Sequence, residues 1–140
     1  MNILFSILSI VYISAIFILA GSPIVRILAP FNLYSLHHIP LYGILTALLI
    51  LSFVPISHSS NNQLTQSTND SMIKLPNNSI TRFLVVGVIA LGVGIADEIH
   101  QAYVPGRDAS VTDVLFDFVG IAFVLFFAFR LLKTKTSLIH

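Results

Sequence analysis

Polar residues able to do chemistry are few in this sequence, and most fall into three short groups: His37, His38 and Tyr42; Asp97, Glu98, His100 and Gln101; Arg107, Asp113 and Asp117. Asp97, Glu98 and His100 offer the oxygen and imidazole donors that suit a divalent cation such as Mg²⁺ or Mn²⁺, or a pair of carboxylates sharing a proton. The plainer reading of the same residues is a helix-end ion pair with Arg107. Adjacent residues on a helix point about 100° apart, so Asp97 and Glu98 do not reach one point equally. Arg107 follows the turn residues Pro105-Gly106. Its planar fork suits a phosphate or carboxylate, or it neutralises Asp97 or Asp113. Ser110-x-x-Asp113 before an apolar run is a helix-capping pattern, and the helix dipole favours a carboxylate there, so capping and function are both open for Asp113. Asp117 lies beyond the first turn and is no cap. His38 is a candidate acid, base or ligand, or an anchor at headgroup level, while His37 reads as interfacial. Tyr42 and Gln101 are placed to hold the reacting groups from behind.

The elements that must position these residues are unusual. Of 140 residues, 56% are hydrophobic and only 9% charged, with a mean hydropathy of +0.92. A water-soluble domain needs roughly a quarter of its residues charged, so the apolar surface here must face lipid. There is no cysteine, which excludes disulfides, thiolate metal sites and cysteine nucleophiles. The net charge of +1 supplies no basic stripe for a nucleic acid. The expected fold is all-α, a single domain over 1–140, forming an antiparallel bundle of four transmembrane helices at about 3–20, 37–56, 81–103 and 111–132. Residues 3–20 read as a retained helix and not a cleaved signal, because Asn2 stands where a basic segment should be. A short interfacial helix is expected near 24–29. The Ser/Asn/Gln/Thr-rich stretch 57–79 reads as a polar loop, and 133–140 as a tail.

Lys74, Arg82, Arg130, Lys133 and Lys135 fall on the face that holds both termini and loop 57–79, against Arg26 and Arg107 on the other. Positive residues favour the cytoplasm, so both termini and that loop are expected inside the cell membrane. Chain reversal then carries the three polar groups to one outward-facing end. Asp97 and Asp117 each lie roughly 10 Å inward from the connecting loop. A lone carboxylate at such depth costs about 2.5–3.5 kcal/mol, so each should face a partner or a cavity. Gly87, Ala90 and Gly94 make a small-residue line continued by Asp97, Glu98 and Gln101, which reads as the packed face. Asp113, Asp117 and Gly120 share a stripe opposite Phe123, Phe126, Phe127 and Phe129.

Asp97-Glu98-x-x-Gln101, Pro105-Gly106-Arg107, Ser110, Asp113 and Gly120, with His38 followed four residues later by Tyr42, together resemble the VanZ-like family of small membrane proteins. The resemblance covers the second to fourth helices. It departs from the family at Asp117, where asparagine is expected, and at Leu33-Tyr34-Ser35, where a lysine or aspartate often precedes the histidine. The family's founding member is associated with low-level teicoplanin resistance, which points to the cell envelope. Together, residues and resemblance lead to an enzyme-like site for an anionic headgroup of a membrane lipid or lipid-linked envelope precursor. Asp97, Glu98, His38 and Asp117 would be catalytic, Arg107, Gln101, Tyr42 and Asp113 would bind substrate, and Asp97, Glu98 and His100 would take any metal. A non-catalytic envelope protein that binds lipid or glycopeptide, and a proton-coupled carrier working as a homo-oligomer, are the alternatives.

Overall fold

The computed structural model describes residues 2–22, 35–54, 79–107 and 109–137. Within them the chain is all-helical: α1 (Ile3–Ala20), a 3-10 turn (Ser35–His37), α2 (His38–Phe53), α3 (Ser79–Ala102) and α4 (Val111–Ser137). Three segments are long and apolar enough to cross a membrane, namely Ile3–Ala20, Ile80–Ala102 and Val111–Leu132. At 16 residues, α2 is shorter. The expected interfacial helix at 24–29 lies outside the described residues, with Arg26. So does the expected loop at 57–79, with Lys74, except for Ser79, which opens α3.

Local chemistry explains where the helices stop. α1 takes the expected range. α2 ends at Phe53 and not at 56, because Val54 has already turned extended, with φ −95° and ψ 115°. Pro55 follows it, and a proline disfavours helical backbone in the residue before it. α3 is closed by Val104-Pro105-Gly106-Arg107, in which the Arg107 N–H donates to the Val104 carbonyl at 3.1 Å. Gly106 has φ 79°, so this is a type II turn with proline and glycine where that turn requires them. α4 runs past the expected end at 132 to Ser137. No glycine or proline stands between Arg130 and Ser137 to stop it.

Hydrogen bonds at the helix ends fix an up-down order. The Asn2 N–H donates to the Ser52 carbonyl at 2.9 Å, and the Ser6 and Ser52 hydroxyls meet at 2.5 Å. The start of α1 therefore lies beside the end of α2. Arg82 of α3 donates to the Phe53 carbonyl at 2.8 Å and brings the start of α3 to the same place. α2 and α3 each pack on all three other helices, whereas α1 and α4 do not meet among the described residues. Ile16, Tyr42, Leu45, Leu49, Val86, Ala90 and Ile121 form the apolar core.

The polarity of the bundle is the reverse of a soluble protein's. Ile18, Leu84, Val88 and Phe123 are each more than 60% exposed, and Phe126, Phe127 and Phe129 also face outward. Inside, among the described residues, nine buried ones are polar or charged, so hydrogen bonding and charge pairing help to hold the interior.

The closest approach is between α2 and α4. A Cβ on Gly120 would run into the backbone of Ile39, and one on Gly43 would stand 3.5 Å from Val124. Backbone cannot swing aside as a side chain can. Gly120→Ala should therefore force the two helices apart and lower stability by about 1–3 kcal/mol. Gly92, where an added Cβ meets nothing within 4 Å, is the matched control. There alanine should be neutral or add up to about 1 kcal/mol through helix propensity. Reversible unfolding of both variants in mixed detergent micelles measures the difference.

Candidate functional site

The site forms where α2 and α4 begin and α3 ends. His38 opens α2, and Tyr42, one turn later, lies on the same face with its ring parallel to the imidazole, centroids 6.1 Å apart. Asp97, Glu98 and Gln101 occupy the last turns of α3. Asp113 and Asp117, four residues apart and so on one face of α4, complete the group. All seven are buried: Asp117 and Tyr42 are wholly inaccessible and Asp113 is the most open at 6%.

His38 is the hub. Its Nδ1 donates to Oδ1 of Asp117 at 2.8 Å, and its Nε2 lies 3.7 Å from Oδ2 of Asp113. Asp117 fits here because Gly94 of α3 faces it without a side chain; a Cβ on Gly94 would stand 2.6 Å from Oδ2 of Asp117. One face of the small-residue line thus makes room for a carboxylate as well as for a helix.

Asp97 is held from one side only. Its Oδ2 accepts from Nε2 of Gln101 at 3.0 Å and from the Tyr42 hydroxyl at 3.4 Å. Gln101 also reaches Oε1 of Glu98, at 3.4 Å. The Ser110 N–H donates to Oε2 of Glu98 at 2.8 Å. Ser110 is the residue just before α4, and its N–H is the one a capping box would give to Asp113. Glu98 takes it instead, which frees the Asp113 side chain to face His38.

One placement differs from the sequence reading. The expected metal trio Asp97, Glu98 and His100 is not the set that converges. His100 turns to α1, with its ring 5.5 Å from that of Phe17 at 68°. Residues two apart on a helix point to opposite sides, so Glu98 and His100 cannot share a ligand. The donor atoms that do gather are those of His38, Glu98 and Asp113, all within 4.8 Å of one another. Arg107, half-buried, donates through Nε to the carbonyl of Ala20 at 3.3 Å and so joins the α3–α4 turn to the end of α1. His37 lies in the 3-10 turn with its ring 4.5 Å from that of His38.

What the arrangement can do follows from its unfilled valences. Among the described residues, His38 Nε2, Asp97 Oδ1, Asp113 Oδ1 and Asp117 Oδ2 are buried with no hydrogen-bond partner. Such atoms are costly when left unmade, and four carboxylates here surround one imidazole. The imidazole supplies at most one positive charge, so the remainder is balanced by protons or a bound cation. A site of this kind can exchange protons, hold a cation and grip a polar group.

No model of a known protein family, no characterised protein and no solved structure matches the chain.

Removing one partner of a buried charged pair strands the other and costs about 3–5 kcal/mol. Asp117→Leu should destabilise the bundle by that amount, whereas Asp117→Asn, which keeps an acceptor for Nδ1, should cost much less. Unfolding of the two variants in the same micelles reads the gap between them.

Proposed function

We propose that this chain is a VanZ-like envelope membrane protein, a four-span bundle whose buried polar site acts on an anionic headgroup of a lipid or lipid-linked precursor. The observation that carries this is the meeting of three helix ends around buried, unpartnered polar atoms, in a chain whose outer surface is apolar. Such atoms are retained against their cost where a substrate or ion completes them.

An apolar groove supports a lipid as the substrate. It holds about 370 Å³ between α3 and α4 and is lined by residues including Gly87, Leu91, Phe118, Ile121 and Leu125. Its upper end, at Leu91 and Phe118, is within a turn of Gly94 and Asp117. A chain lying in the groove would bring its headgroup to the acidic cluster. In this reading Asp97 is the acid or base, since Gln101 and Tyr42 fix one oxygen and leave the buried Oδ1 without a hydrogen-bond partner among the described residues. Asp117 orients His38 so that Nε2 turns toward Asp113, and Arg107, in the turn after α3, holds the anion. Altered handling of such a precursor is a route to lower glycopeptide susceptibility.

α2 counts as the fourth span although it has 16 residues. The 3-10 turn extends it, and it packs on α1, α3 and α4. Both termini and segment 57–79 are assigned to the cytoplasm, with the polar site beneath the outer surface.

Two measurements test this reading. Lipid mass spectrometry on cells expressing wild type should show an altered envelope-lipid profile. Asp97→Asn should abolish that change, with activity down by about 10²-fold or more. Profiles indistinguishable between wild type, Asp97→Asn and empty cells would sink the enzyme reading. For orientation, the cysteine-free chain permits single-site labelling. In intact cells an impermeant maleimide should modify Ala109→Cys, at an exposed position, and should reach His140→Cys only after lysis. The reverse pattern inverts the topology.

A further inference from the structure

The acidic cluster poses an electrostatic problem for an anionic headgroup. Four buried carboxylates repel an anion, and the single guanidinium of Arg107, in the turn after α3, does not offset them. A positive charge inside the cluster would, and the donor atoms to hold one are in place.

We propose that His38, Glu98 and Asp113 bind a divalent transition-metal ion, and that this ion is the counter-charge through which the pocket accepts an anionic headgroup. The second half rests on the lipid-site reading above; the first does not. The three donors come from three helices and lie within 4.8 Å of one another. Two ligands of one ion at about 2.1 Å each stand no more than about 4.2 Å apart. His38 Nε2 and Asp113 Oδ2, at 3.7 Å, already satisfy that limit, and the set as a whole, within 4.8 Å, exceeds it by about 0.6 Å at most.

Two independent features point to an ion and not to a bare acidic cluster. His38 Nε2 and Asp113 Oδ1 are buried, have no hydrogen-bond partner among the described residues, and belong to residues only 1% and 6% exposed. In addition, the other ring nitrogen of His38 is held by a carboxylate, Asp117, at 2.8 Å. A metal-ligating histidine almost always has its second nitrogen tied in this way, which fixes the tautomer that leaves Nε2 free to ligate and raises its basicity. Glu98 is likewise anchored, by the Ser110 N–H. Two of the three ligands, His38 and Glu98, therefore have a support that does not depend on the ion.

The donor set also selects the metal. The imidazole nitrogen favours a transition metal such as Zn²⁺, the two carboxylates also suit Mn²⁺, and Mg²⁺ and Ca²⁺ prefer oxygen donors. Three protein ligands leave at least one position open, as in sites where an ion binds substrate oxygen. Asp97 stands outside the set and stays available for proton transfer.

The test is titration of the purified full chain in lipid nanodiscs with Mn²⁺, followed by electron paramagnetic resonance. The expected result is one saturable Mn²⁺ per chain whose pulsed spectrum carries the nitrogen coupling of a bound imidazole. His38→Gln should remove that coupling. Glu98→Gln and Asp113→Asn should each weaken binding at least 100-fold, and Asp117→Asn should weaken it about 10–100-fold. Asp97→Asn should leave binding intact. Absence of saturable Mn²⁺, or a wild-type spectrum with no nitrogen coupling, overturns the metal site and requires no variant to fold. Bound Mn²⁺ with the nitrogen signature, alongside a lipid profile indifferent to Asp97→Asn, keeps the metal site and removes the lipid-site reading. No bound Mn²⁺ with an Asp97-dependent lipid profile does the opposite.

Discussion

A charged side chain in an apolar bundle has to find its partner within the bundle, and the contact between His38 and Asp117 is where this chain meets that requirement. It joins α2 to α4 at 2.8 Å with both side chains out of reach of solvent. The rest of the geometry follows from making it possible. Gly94 lacks a side chain where the Asp117 carboxylate must sit, and Gly120 lacks one where the Ile39 backbone must pass. A few residues further on, Tyr42 and Gln101 extend the network to Asp97. Glycines and ionisable residues here work as a single device: the small residues set the helix spacing, and the spacing makes the polar contacts short.

The same coupling governs how the ends of the helices are finished. A helix start leaves N–H groups unpaired, and a sequence usually answers with its own capping side chain. At the start of α4 the donor of Ser110 goes instead to Glu98, from the preceding helix. α3 therefore caps α4, across the type II turn that Pro105 and Gly106 build. Arg107 adds a second tie by bonding to the end of α1. The turn is short and its two flanking residues are committed, so the acidic residues of α3 and α4 are held in fixed relation.

Much of this was legible in the residues. The apolar run closing at Gly21-Ser22-Pro23 gave α1 its end, and a spacing of four placed Asp113 and Asp117 on one face. Asp97 and Gln101, also four apart, could be paired for the same reason. What was not legible depends on contacts between helices. The end of α2 was placed at 56 because the apolar pattern continues, although Pro55 should have stopped the helix two residues ahead of itself. The Ser110-x-x-Asp113 pattern was a sound local signal overridden by Glu98, which the sequence cannot show to be nearby. The trio of Asp97, Glu98 and His100 was a proximity argument, and helix geometry alone spoke against it, since Glu98 and His100 face opposite sides.

The inverted polarity has a consequence for how the site should be probed. In a soluble enzyme the catalytic groups sit in a cleft and the core is apolar, so a catalytic residue can be truncated with the fold left standing. Here His38, Asp97 and Asp117, the groups to which the proposed function gives the chemistry, are also part of the interior that α2, α3 and α4 share. Truncation at His38 would open a void and strand two carboxylates at once, and loss of activity would then say nothing of chemistry. Changes that preserve shape and hydrogen bonding while removing charge or a lone pair, such as aspartate to asparagine, separate the two roles. The distinction sharpens at Asp97, where one oxygen serves the network and the other has no hydrogen-bond partner among the described residues. An amide that keeps its oxygen toward Gln101 and Tyr42 preserves the first and abolishes the second, so Asp97 is the position where structure and chemistry come apart most cleanly.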